Sequence, residues 1–232
     1  MNIHITAFKY KIDMCDFTDI DVLLNKLDDH TECLQYAIEM RISTIALQII
    51  DYNRYNLQQI NDIVIEIIDN SPIIELLEFF TDDMSDVVNA LLSNGVIIPN
   101  KTYRDHTSLF MLICNLRHTK MATILLKHGY AYPEHIDDNG DTPLICALRN
   151  NLIDVALALV ETGCANVMNH NMRNISALHL ICKYNHIDLL TYIIDHNLCY
   201  NAQRDIYDKY PCDYLYERGH TELSTIMKLY NC

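Results

Sequence analysis

Only five glycines occur in this chain, and three of them fall in step. Gly95, Gly129 and Gly163 are 34 residues apart, and the next step of 34 lands on Asn197. Each position follows a helix-like run: Leu91-Leu92-Ser93-Asn94, Leu125-Leu126-Lys127-His128, Leu159-Val160-Glu161-Thr162 and Ile193-Ile194-Asp195-His196. Gly and Asn enter the left-handed conformation that closes a helix at low steric cost. The prolines keep the same time: Pro99 and Pro133 are 34 apart, and Pro143 and Pro211 are 68 apart, as two periods require. His186 and His220 are again 34 apart. A period of this length is the mark of a helical repeat array, whose units cannot bury an apolar face alone and must stack.

The content of one period defines the unit. Asp138-Asn139-Gly140-Asp141-Thr142-Pro143-Leu144 reads as a tight turn feeding a helix. Asn-Gly favours a hairpin-type turn, Thr142 can cap the helix, and Pro143 suits its first turn. A short helix with small residues at Cys146 and Ala147 follows. After a break at Asn150-Asn151 comes a second helix, Val155-Ala156-Leu157-Ala158-Leu159-Val160, which ends at Gly163. This unit resembles the ankyrin repeat, with its T-P-L-H-x-A helix start, G-H break and L-L-x-x-G-A end. The next period matches through Ser176-Ala177-Leu178-His179, Asn185-His186 and Leu189-Leu190, and His179 stands at the motif's histidine. The preceding unit reads Thr107-Ser108-Leu109-Phe110 and Ile124 to Gly129, with one extra residue expected at its central break.

The flanks follow the pattern more loosely. Cys33 to Ala37 and Ile45 to Ile50 align ungapped with Pro143 to Val160, which puts a cap at Asn53. Ala37 and Ala147 are 110 residues apart, not a multiple of 34, so the intervening unit must be irregular. Its two apolar runs, Ile60 to Ile68 and Ile73 to Phe80, are split by Asn70-Ser71-Pro72. The expected organisation is a single all-α ankyrin-repeat solenoid of about six helix–turn–helix units, with short turn hairpins and atypical terminal caps. Its parts are an N-terminal half-repeat or cap at 1–27 with Ile20 to Leu24 as outer helix, a repeat at 28–56 and an irregular helical repeat at 57–101. Repeats follow at 102–136, 137–170 and 171–203, and a C-terminal capping repeat with a short, more polar second helix at 204–232.

Composition narrows the function. Seventeen basic against 31 acidic residues give a net charge of −14, which repels phosphate backbones, and no Lys/Arg cluster overturns it. No apolar run suggests a membrane span, and the first eleven residues lack the pattern of a signal peptide. The nine cysteines include no CxxC pair, so free thiols in a reducing, cytoplasmic compartment are expected rather than a disulfide framework.

No catalytic, cofactor or metal residues are expected. G-x-S-x-G, P-loop and G-x-G-x-x-G motifs are missing. His179-x-x-Cys182 and Cys114-x-x-x-His118 are each half of a zinc pattern at most, and the acids from Asp137 to Asp141 lack the spacing of a calcium loop. His179 reads as the motif's helix-start histidine, and Cys146 and Cys182 as small core residues.

The resemblance to ankyrin proteins implies a non-enzymatic scaffold that binds another protein with its turn tips and inner helices, a monomer by default. At the tips it implicates Arg104, Asp105, His106, Asp137, Asp138, Asn139, Asp141, Met172, Arg173 and Asn174. On the inner helices it implicates Phe110, Asn115, Ile145, Arg149, Asn150, His179, Lys183 and Tyr184, with Tyr184, Phe110 and Arg149 the preferred anchors by residue type. With 30 Ile, 21 Asn, 15 Tyr and no Trp, the chain resembles the short degenerate ankyrin proteins of large DNA viruses, of mimivirus or poxvirus type. That resemblance implies engagement of a host protein. Alternatives in the same class are an inhibitor resembling those of NF-κB and an adaptor to ubiquitin ligase. For the adaptor, the chain is expected to lack room for an F-box-like tail after its last unit.

Overall fold

The computed structural model describes residues 2–52, 54–70, 80–98 and 100–229, and only the backbone of residues 66–70. The chain divides into two compact units, Met1–Pro99 and Asn100–Cys232. The described residues are helices and turns. Their β-type pairing is limited to two isolated antiparallel bridges, Thr102 with Ser108 and His170 with Ser176.

The first unit holds α1 (Ile3–Asp13), α2 (Ile20–Leu24), α3 (Thr31–Glu39), α4 (Ser43–Tyr52), α5 (Leu57–Asn70) and α6 (Ser85–Ser93). The segment read as a half-repeat thus contains a helix pair. Phe8 and Ile12 of α1 and Ile20 and Leu24 of α2 are all buried. α3 packs on α1, α4 and α5, and α4 packs on α6. His30 is fully buried at the start of α3; its Nε2 lies 2.9 Å from the Leu24 carbonyl. The irregular stretch contains the 14-residue α5, then a 3-10 turn at Asp82–Met84 that leads into α6. The apolar run from Ile73 and the cap at Asn53 lie outside the described residues, except that Phe80 is fully buried.

The second unit holds four helix pairs: α7 (Leu109–Asn115) with α8 (Thr119–Lys127), α9 (Pro143–Arg149) with α10 (Ile153–Glu161), α11 (Ala177–Tyr184) with α12 (Ile187–Asp195), and α13 (Pro211–Glu217) with α14 (Thr221–Leu229). The first helix of a pair is apolar nearly all round. In α9 every residue from Pro143 to Leu148 is buried, as befits a helix sandwiched between neighbours. The second helix is buried along one stripe only, such as Val155, Ala156, Leu159 and Val160 of α10. The final helix, α14, runs nine residues like its counterparts and is not shortened.

Local chemistry recurs every 34 residues. Ser108, Thr142 and Ser176 cap α7, α9 and α11 by accepting from the third backbone N–H beyond. The last repeat has Tyr210 there and reverses the bond: Asp213 accepts from the Tyr210 N–H at 2.9 Å. Between the two helices of each pair a left-handed residue makes the bend: Arg117 (φ 63°), Asn151 (62°), Asn185 (65°) and Gly219 (87°). The first pair therefore keeps the common register and has no extra residue at its break. Arg117 carries none of the usual left-handed signals, so its bend is not announced by the sequence.

Candidate protein-docking groove

The tips between pairs are built by one repeated device. A loop of five residues closes on itself through Tyr103 N–H to Thr107 O (2.8 Å), Asp137 to Asp141 (3.1 Å), Asn171 to Ile175 (3.0 Å) and Asp205 to Lys209 (3.0 Å). In the last three the leading side chain fills the loop. Asp137 Oδ1 accepts from the Asn139 and Asp141 N–H groups, Asn171 Oδ1 from Arg173 and Ile175, and Asp205 Oδ1 from Tyr207 and Lys209. Burial pushes the Asp205 carboxyl up, but the Tyr214 hydroxyl and these N–H donors outweigh it and hold it below its ordinary value. This Asx position at 137, 171 and 205 was legible in the sequence as a fourth 34-residue series, and only Asp137 was singled out.

Adjacent tips are then joined to one another. The N–H groups of Asp138, Met172 and Ile206 donate to the carbonyls of Asp105 (3.0 Å), Asn139 (3.0 Å) and Arg173 (3.1 Å). Such bonds are worth about 1 kcal/mol each, and together they fix the tips as one rail beside the inner helices. The rail needs close backbone approach. A Cβ on Gly140 would sit 2.9 Å from the Met172 nitrogen and 3.0 Å from the Asn171 Cα.

Between this rail and the inner helices lies a groove of about 430 Å³. Six of the residues expected at the partner surface line it: Asn139, Asp141, Arg149, Arg173, Lys183 and Tyr184. The wall also contains Met172, expected as a tip residue, and Asn171, Ile175, Leu180 and Tyr207, which were not expected. Tyr207 occupies the same place in its tip as Asn139 and Arg173 in theirs, so extending the period one step further would have found it.

Four of the expected partner-binding residues are buried and take other roles. Phe110 is fully buried, because α7 turns that face onto its own pair and onto α9. Asp141 is 1% exposed. Its carboxylate accepts from both guanidinium nitrogens of Arg149 and, at 2.8 Å, from Asn171 Nδ2, which ties one repeat's turn to its own inner helix and to the next turn. Burying a carboxylate costs several kcal/mol, so it persists only with such a donor set. Arg149 is therefore held for structure, although its side chain remains about half exposed. Ile145 and His179 are likewise buried.

The other expected residues lie elsewhere. Arg104, Asp105 and His106 form an exposed 3-10 turn. His106 Nδ1 lies 2.6 Å from Asp138 Oδ1. Asn150 donates to Asn115 Oδ1 at 2.9 Å and so bridges successive inner helices. Asn174 lines a separate, amide-rich groove of about 390 Å³ with Gly140, His170, His179, Tyr200 and Gln203.

His179 is engaged by its own neighbours. Its Nδ1 accepts from the Ser176 N–H at 3.1 Å, and Nε2 faces the Lys209 carbonyl at 3.2 Å, so the ring is the neutral Nε2–H tautomer. Burial pushes its pKa down against the opposing pull of that carbonyl. Burial also drives the Cys146 thiol up to about 12 and raises Cys114 and Cys182 further, which keeps them protonated and unreactive. Seven described cysteines are free, but Cys199 is disulfide-bonded, which corrects the expectation of free thiols throughout. Among the described residues no three His, Cys, Asp or Glu side chains come together to hold a metal ion. Nor is any described helix long and apolar enough to cross a membrane.

Helix pairs of constant length, capped turns and a tip rail beside the inner helices define an all-α ankyrin-repeat architecture. The comparison with known families agrees: residues 79–170 match the family model described as ankyrin repeats (3 copies). The 34-residue register continues beyond that match to the last described helix. No curated protein matches the chain.

Proposed function

We propose that this chain is a non-enzymatic scaffold that binds a protein partner in the groove between the tip rail and the inner helices of its second unit. The observation that carries this reading is the company kept there. Met172 is 78% exposed, Tyr207 59% and Tyr184 43%, all in the groove wall with Arg173 and Lys183. Exposed aromatic and cationic side chains on a backbone already pinned by hydrogen bonds lose little entropy on binding, and these residue types dominate interface hot spots. The finer reading, a viral protein engaging a host protein, rests on the Ile-, Asn- and Tyr-rich composition and the degenerate repeats. A cytoplasmic setting rests on the seven free cysteines, with the Cys199 disulfide the one feature against it.

The test is selection from a displayed library of random peptides against the purified chain, followed by measurement of each binder on Tyr184→Ala/Tyr207→Ala and on an outer-helix control, Glu161→Ala. Binders should weaken by roughly tenfold or more on the groove variant and stay unchanged on the control. Binders indifferent to the groove variant would place docking on another surface.

A further inference from the structure

The groove is cationic on a strongly acidic protein, and that contrast selects a partner. Arg149, Arg173 and Lys183 line it. Its own carboxylate, Asp141, is buried and spent on Arg149 and Asn171. Neither Arg173 nor Lys183 has a carboxylate within 4 Å among the described residues; the charges near this end that do pair are Arg204 with Asp208 and Lys209 with Glu217. Lys183 instead stands 6.0 Å from the Tyr184 ring centre and 5.9 Å from that of Tyr214, contacts that orient an ammonium without cancelling its charge.

Resting on the docking role proposed above, we infer that the occupant of this groove is an extended acidic peptide segment with an apolar side chain beside its carboxylates. Arg173 stands on the tip and Lys183 on the inner helix α11 of the same repeat, and both belong to the groove wall, whereas the charge of Arg149 is taken up by Asp141. Met172, Ile175, Leu180 and Tyr207 supply the apolar wall between them. The protein's charge of −14 opposes the approach of any anion at long range. At physiological salt that field decays within about 8 Å, so the groove's own cations govern contact. A nucleic acid, extended and charged along its whole length, would suffer the repulsion over far more of the surface.

Four fluorescent probes decide the matter: a dodecapeptide alternating Glu with a central Phe-Leu pair, the same peptide with Gln for Glu, the same with Lys for Glu, and a single-stranded DNA dodecamer. Anisotropy titrations are run on the wild-type chain and on Arg173→Glu/Lys183→Glu. Circular dichroism confirms that this variant is folded, and neither side chain has an ion pair to lose. The Glu peptide should bind about tenfold more tightly than the Gln peptide, weaken with added salt, and lose that advantage on the charge-reversed variant, which should then favour the Lys peptide. Equal binding of Glu and Gln peptides, Glu-peptide binding that survives the charge reversal, or tighter binding of the DNA would each overturn the acidic-peptide assignment. If library-selected neutral peptides still depend on Tyr184 and Tyr207 in those cases, the groove remains a docking site and only its charge preference is lost.

Discussion

Gly140 allows the close-packed tip rail to be tested by a single methyl group. Its φ is 77°, so any Cβ there carries the left-handed penalty of about 1–2 kcal/mol. Beyond that, the new Cβ would stand 2.9 Å from the Met172 nitrogen and 3.0 Å from the Asn171 Cα, both backbone atoms that cannot rotate away. The tips must then part. The Met172 N–H to Asn139 bond at 3.0 Å is the first to suffer, at about 1 kcal/mol, and the Asn171 bond to buried Asp141 lies beside it. Gly140→Ala should therefore cost about 3 kcal/mol. Gly129 provides the control, because its φ is 83° and an added Cβ would meet nothing within 4 Å. Gly129→Ala should cost only the conformational part, about 1–2 kcal/mol. Urea denaturation followed by circular dichroism, with wild type and both variants side by side, reads the difference. Equal losses for the two alanines would mean that the rail is not close-packed at this point, and the groove's fixed geometry would fall with it.

Three further outcomes follow from the same structure. Arg149→Ala should destabilise more than Asp141→Ala, by about 3–5 against about 2–3 kcal/mol, because the first strands a carboxylate that is 1% exposed while the second leaves a half-exposed guanidinium that water can reach; the reverse order in denaturation midpoints would contradict the burial. Stability should be steady between pH 6.5 and about 8 and fall as the pH drops below that range. His179, His128 and His186 all have pKa values lowered chiefly by burial, so the unfolded chain takes up protons first, and His179→Gln should flatten that slope. Maleimide should label Cys15 and Cys164 on the folded protein within minutes and spare Cys114, Cys146 and Cys182 until urea is added, as peptide mass mapping would show.

The period, and the helices it spaces, were legible because their causes are local. The left-handed residues at the bends, the hydroxyl N-caps of α7, α9 and α11 and the prolines that open α9 and α13 act within a few residues of themselves and recur on the same period. The groove was legible in part for the same reason: the period carried Asn139, Arg149, Arg173, Lys183 and Tyr184 to equivalent places on successive repeats. Where the local signal was unusual, as with Arg117 in a left-handed bend, the sequence misled by one residue.

Sequence by itself thus determined that the chain is a stack of helix pairs and where each pair turns. Only the tertiary structure decided which side chains those pairs keep for themselves. Phe110 and Asp141 were expected at the partner surface, yet the fold covers Phe110 with α8 and α9, and Asp141 with Arg149 of its own repeat and Asn171 of the next. On a seven-residue helix almost every face touches something, so exposure is set by the next repeat and not by the residue's own periodicity. The same holds for the cationic groove. Its charge emerges because folding buries the local carboxylate against Arg149 and leaves Arg173 and Lys183 with no carboxylate partner among the described residues.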